Sequence, residues 1–216
     1  MAQKLEDIAD EIHRSFEVCT AERDRALTQA RTLTRHCANA IRAVHRDEGA
    51  LALQHLDEAR QLVQSLRDNL KGLPELFYAG YTQDALKEYA EAALVYALIN
   101  DHDFPEPQDL LLEPATYLQG LAEAVGELRR RVLDMLLKDK ASEAGRLLGE
   151  MDDIYAILVT MDYPDAITGG LRRLTDVARG IIERTRGDYT LSLRQERLEE
   201  SIREMEIRLD QSTQEE

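Results

Sequence analysis

Tryptophan is absent, and aromatic residues occupy only 5% of the 216 positions. Five prolines and eleven glycines are few punctuation marks for a chain of this length. Sandwiches and barrels need frequent turns and aromatic-rich strands, so this composition argues against both. No run of about eighteen apolar residues occurs, so no membrane-spanning helix, and no membrane partner, is expected. Met1–Asp10 alternates charged and apolar residues without a signal-peptide apolar region, which makes a cytoplasmic location the expectation. The cysteines, Cys19 and Cys37, are eighteen positions apart. On one helix that is about 27 Å, too far for a disulfide, so buried free thiols are expected. Two cysteines and scattered histidines give no zinc spacing. A Gly-rich phosphate loop, a Gly-x-Ser-x-Gly elbow, Cys/His dyad spacing and internal repeats are all missing.

What remains is helical periodicity. Leu5, Ile8, Ile12, Phe16, Cys19, Ala26, Ala30, Leu33, Cys37, Ile41 and Val44 trace one apolar stripe, which predicts a long helix over residues 3–46. Asp47-Glu48-Gly49 breaks it, and a second helix over 50–71 ends at Gly72 and Pro74. Phe77, Tyr78 and Tyr81 form a short aromatic link. Further helices follow over Tyr81–Ile99, Tyr117–Leu137, Ser142–Thr160, Asp165–Arg184 and Tyr189–Leu209, with Gly187 as the last break. Gln211–Glu216 reads as a frayed tail. The fold class is therefore all-α: one domain over residues 1–216, a bundle of about seven helices with a long first helix. The long first helix and the apolar last helix suggest side-by-side packing of copies.

Carboxylates stand out against this background. Glu88 and Glu91 are three apart, so both leave one face of a helix otherwise built from Ala, Leu, Val and Tyr. Glu123 and Glu127 are four apart on the next long helix. Surface glutamates with no special role are the ordinary alternative. Like charges on apolar helices cost stability unless a cation sits between them. A hard divalent ion, Mg²⁺ or Mn²⁺, suits such oxygen ligands, and helix bundles hold metals between facing helices in this way. The acids of the Asp101–Pro107 loop read instead as cap chemistry.

Net charge is −15, from 27 basic and 42 acidic residues, which taken as a sum argues against nucleic acid. The distribution is uneven. Arg23, Arg25, Arg31, Arg35 and Arg42 crowd the second half of the first helix, with Arg31, Arg35 and Arg42 on one side. Arg129, Arg130 and Arg131 follow one turn after Glu127. Such arginines either pair with neighbouring acids or grip phosphates through bidentate forks. Arg186-Gly187-Asp188 has the form of an adhesion motif and is read as chance.

Three stretches resemble the translin family, and more closely translin-associated factor X and its archaeal relatives. Lys87-Glu88-Tyr89-Ala90-Glu91-Ala92 is similar to a Glu-Tyr-x-Glu-Ala signature. Tyr117 through Gly120, Glu123, Gly126, Glu127 and Arg130 is similar to a second signature. Glu22-Arg23 to Arg46 resembles the family's basic first helix, and the match spans most of the chain. The resemblance implies a closed, barrel-like homo-oligomer, a hexamer or octamer. It further implies that Glu88, Glu91, Glu123 and Glu127 bind Mg²⁺ (or Mn²⁺) and cut RNA, with the arginines named above, Arg129 and Arg130 among them, binding nucleic acid. Glu123 departs from the family's usual Asp by one methylene.

Two other classes fit parts of the pattern. A translin-type protein can bind single-stranded DNA or RNA without cutting it. All-α nucleoside triphosphate pyrophosphatases also carry Glu-x-x-Glu before a second acidic pair. Their second pair is usually three apart and ends in Asp, unlike Glu123 and Glu127.

Overall fold

A computed structural model describes the backbone from Ala2 to Gln214 and the side chains of residues 3–208. Among the described residues there are eight helices and no strand: α1 (Ala2–His45), α2 (Gly49–Asn69), α3 (Pro74–Phe77), α4 (Gly80–Ile99), α5 (Pro114–Leu136), α6 (Ala141–Leu158), α7 (Asp165–Thr168) and α8 (Leu171–Gln214). The all-α expectation holds. The helices group into two compact units, the first reaching to Ala124 and including Tyr163–Leu171, the second holding Val125–Asp162 and the chain from Arg172.

In the first unit α1 lies against both α2 and α4. Leu33, Cys37 and Ala40 of α1 close on Ala52, Ala59 and Val63 of α2 and on Leu86, Ala90 and Leu94 of α4. Twelve of α4's twenty residues are buried, as expected of a helix that is apolar on most sides and sits centrally. Arg67 of α2 ties down the segment before α5. It donates to the Leu111 carbonyl at 2.8 Å, lies 3.5 Å from Glu113 and sits over the Phe77 ring. Leu111 needs that support, because its φ of 59° is the left-handed region that a branched side chain seldom adopts.

The first part of α1 leaves its stripe open: Leu5, Ile8, Ile12 and Phe16 are all exposed. The sequence pattern marked that stripe as an apolar face, and the described residues of the unit leave it largely open.

The second unit packs Val125, Leu128 and Val132 of α5 with Leu147, Met151 and Ile154 of α6 and Ala178 and Ile182 of α8. Arg129 bonds Asp188 at 2.8 Å and Thr185 at 3.0 Å, and Arg186 bonds Asp152 at 2.6 Å. The Arg186-Gly187-Asp188 triplet is thus ordinary helix-packing material.

Two sequence expectations about helix ends change. Gly187 breaks nothing: α8 is continuous through it, because one glycine inside a packed helix costs only about 1 kcal/mol. The break falls earlier, at Gly169 and Gly170, whose φ values of 61° and 85° only glycine adopts cheaply. The segment read as frayed is helical as far as Gln214, and Glu215 and Glu216 lie outside the described residues. The stops after α1 and α4 use Asp47 (φ 60°) and Asp101 (φ 57°) in the left-handed cap position. Glu48 N–H then reaches back to the Ala43 carbonyl, and His102 N–H to Ala97, both at 2.9 Å. The Asp101–Pro107 acids are loop and cap chemistry, as expected.

Candidate metal centre

Glu88 and Glu91 emerge from one face of α4, and Glu123 meets them from α5. Each offers a carboxylate oxygen within 4.8 Å of the others, and all three side chains are half-buried. Gly120 makes this meeting possible. A Cβ there would lie 2.4 Å from the Ala90 Cβ and 2.9 Å from both the Glu91 nitrogen and the Lys87 carbonyl oxygen. α5 therefore crosses α4 almost backbone to backbone, one turn before Glu123.

A cation already serves one of the three acids. Lys87 Nζ bonds Glu123 Oε1 at 2.8 Å, with both side chains largely sheltered. Partial burial by itself would lower the Lys87 pKa, but the Glu123 hydrogen bond and charge prevail and hold it above its usual value of 10.5. The pair's stabilisation is therefore full below pH 10.5 and is lost as pH rises through the higher folded value.

The donor set suits a hard ion. On a Mg²⁺ octahedron, opposite oxygens stand about 4.2 Å apart, given bonds of roughly 2.1 Å. Adjacent oxygens stand about 3.0 Å apart, so carboxylate oxygens within 4.8 Å of one another reach that geometry by modest side-chain closure. Glu127 belongs to the second unit, where it lies 3.8 Å from Arg130.

Behind the acids, Cys37 of α1 is fully buried. Burial first, and the Glu88 and Glu91 charges next, push its thiol pKa far above the ordinary range. Thiolate is the reactive form. Cys37 is therefore expected to escape alkylation at pH 8 until denaturant is added, as mapped by mass spectrometry. Modification of Cys37 in the native protein would contradict this placement. Cys19 is half-exposed, contrary to the expectation that both thiols are buried.

Beside Glu88 an open cleft of ≈ 500 Å³ runs between α1 and α4, lined by Arg31, Thr34, Tyr81 and Asp84 among others. The Tyr81 hydroxyl is buried and finds no hydrogen-bond partner among the described residues. Arg31 and Arg35 are exposed, whereas Arg23 and Arg25 pair with Asp24 and Glu22 at 3.2 and 3.0 Å. Arg42 is exposed and bonds Asn39. Arg129 is committed to α8, and Arg130 stays over half exposed. The basic first helix thus contributes Arg31 next to the acids.

Sequence reasoning missed Lys87 as Glu123's partner. It also missed His36, His55 and Glu58, which gather on α1 and α2. Only the His55-x-x-Glu58 spacing on one helix hinted at the latter group.

No family model matches the chain. It is 32% identical over 191 residues to an uncharacterized protein of Methanocaldococcus jannaschii, across 88% of this chain and 84% of the relative. Among solved structures it is similar to AfC3PO in complex with duplex RNA, at 34% identity and a TM-score of 0.79 over 85% of this chain and 95% of that one. AfC3PO alone gives 32% identity and a TM-score of 0.78 over 85% and 96%. Apo-NeC3PO shares the fold, with a TM-score of 0.78 over 85% and 96% at 19% identity. Sequence identity over most of its length, the shared helical architecture and the two acidic signatures on α4 and α5 make this chain a member of the translin family, whose solved relatives include the C3PO proteins.

Proposed function

We propose that this chain binds RNA and hydrolyses its phosphodiester backbone with Mg²⁺ or Mn²⁺ held by Glu88, Glu91 and Glu123. The observation that carries this reading is the convergence of those three carboxylates from two helices. The duplex RNA bound by a relative of 34% identity supports RNA as the polymer. When bound, the ion would supply positive charge at the scissile phosphate and an acidified water. The chain's residues do the rest. Arg31, exposed in the same cleft as Glu88, offers a fork for a phosphate. Of the three acids Glu88 lines that cleft, and its carboxylate oxygen would take a proton from attacking water. Water adds across one P–O bond, and the leaving oxygen takes up the proton.

A net charge of −15 is compatible with this, because exposed arginines such as Arg31 and Arg35 of α1 supply local positive charge beside the acids. The exposed apolar stripe of α1, and the exposed Leu191, Leu198, Ile202 and Met205 of α8, supply faces for joining copies of the chain. A hexamer or octamer is the assembly we propose.

The test is incubation of purified protein with labelled duplex RNA, single-stranded RNA and single-stranded DNA, with Mg²⁺ or with chelator. Cleavage of RNA that needs the ion is the expected result. Salt-sensitive binding without cleavage would indicate a non-catalytic binder, and pyrophosphate release from nucleotides would indicate the other all-α enzyme class.

Lys87 supplies a separate check. In Lys87→Met, three carboxylates would face one another without their ammonium. The ion-free protein is expected to melt several degrees lower, and the rise in Tm on adding Mg²⁺ to exceed that of the unaltered chain. An unchanged Mg²⁺ response would argue against an ion at Glu123.

A further inference from the structure

His36 of α1 meets His55 and Glu58 of α2 in a group separate from the three acids. His36 Nδ1 lies 2.7 Å from Glu58 Oε2, and His55 Nδ1 lies 3.4 Å from the same oxygen. The two Nδ1 atoms face each other at 3.4 Å, with the rings tilted by 53°. The imidazoles are mostly sheltered, at 19% and 18% side-chain exposure, while Glu58 is 40% exposed.

Protons alone satisfy this arrangement poorly. Both Nδ1 atoms face one carboxylate oxygen and each other at the same time. If His36 Nδ1–H donates to Glu58, the His55 Nδ1 is left with a long contact to the carboxylate or a lone pair facing His36. Three potential metal-ligand atoms converge, with one short hydrogen bond and two long contacts of 3.4 Å among them.

A tetrahedral metal ion rewards all three. With metal–ligand bonds of about 2.0–2.2 Å, ligand atoms on a tetrahedron stand roughly 3.3 Å apart. Two of the three observed separations are 3.4 Å, and the third, 2.7 Å, needs only about 0.6 Å of opening. Imidazole nitrogens select borderline transition ions over Mg²⁺ or Ca²⁺. Partial exposure at Glu58 leaves a fourth position for water.

We infer that His36, His55 and Glu58 form a binding site for a tetrahedral divalent transition ion of the Zn²⁺ class, cross-linking α1 to α2. The site stands apart from the proposed RNA chemistry and does not depend on it.

The probe is Co²⁺, whose four-coordinate complexes absorb strongly in the visible, titrated into the full untagged chain and then displaced by Zn²⁺. One Co²⁺ per chain with a tetrahedral spectrum is expected. Zn²⁺ at about a hundredfold above its Kd is expected to raise Tm by roughly 5 °C. His36→Gln and His55→Gln should weaken Co²⁺ binding at least about tenfold, while the Glu88→Gln/Glu91→Gln double variant keeps it. Circular dichroism verifies the fold of each variant, and Glu58→Gln gives the same readout where a histidine variant does not fold. A missing tetrahedral spectrum, a spectrum that survives both histidine changes, or one lost only with Glu88 and Glu91 would overturn the assignment.

Discussion

Glu91→Gln is expected to lower Mg²⁺-dependent RNA cleavage by roughly 10²–10³ while leaving RNA binding within a few-fold of the unaltered chain. An ion ligand that neutralises charge at the scissile phosphate contributes several kcal/mol to the barrier, and each 1.36 kcal/mol is about a factor of ten. Gln keeps the volume and one acceptor oxygen but removes the charge. The stability effect should run the other way. Glu91 shares a half-buried corner with two other carboxylates whose oxygens lie within 4.8 Å. Removing one of them relieves repulsion of order 1 kcal/mol after solvent screening. The ion-free variant should therefore melt at the same temperature as the unaltered chain or slightly above it, and its Tm should no longer respond to Mg²⁺. A residue needed only for structure would lose stability and activity together. Cleavage that survives in Glu91→Gln and in Glu88→Gln would remove the acids from the chemistry.

The helices and one acid pair were legible because both depend on local spacing. The i, i+3 step between Glu88 and Glu91 sets a common face in any helix. Bringing Glu123 to that face is a matter of how α4 and α5 cross, and periodicity carries no such information. The translin resemblance supplied that step. It also named Glu127 as a fourth ligand; that residue lies in the second unit, 3.8 Å from Arg130. The arginine triplet after Glu127 left two readings open, a phosphate grip or pairing with acids, and the partner of Arg129, Asp188, lies some sixty positions away in sequence. The histidine group was invisible for the same reason. His36 and His55 sit on different helices, and only the turn at Asp47 folds one back on the other. The apolar stripe at the start of α1 was legible as a face, but its exposure was not. A stripe that packs inside one chain and a stripe that packs between chains have the same period.

Gly120→Ala is expected to lower Tm by about 5 °C or more and to weaken the Mg²⁺ response, although alanine is the better helix former by about 1 kcal/mol. At an open helical position that propensity would make the change stabilising. Here the new methyl group would overlap the Ala90 Cβ at 2.4 Å, with the Glu91 nitrogen and the Lys87 carbonyl oxygen at 2.9 Å. Two of those three atoms are backbone and cannot swing aside, so α4 and α5 must separate. Overpacking of this kind costs about 1–3 kcal/mol, more than the propensity returns. The residues pushed away carry the chemistry: Glu91 is one of the three acids, and Lys87 holds Glu123. Separating the helices moves Glu123 away from Glu88 and Glu91, and a small hard ion demands close oxygen ligands, so ion affinity should fall with stability. Gly126→Ala is the control on the same helix, because a Cβ there meets nothing within 4 Å. It is expected to leave Tm unchanged or to raise it by a few degrees. Equal Tm changes for the two variants in thermal melts would mean that Gly120 is not the point at which α5 is drawn onto α4.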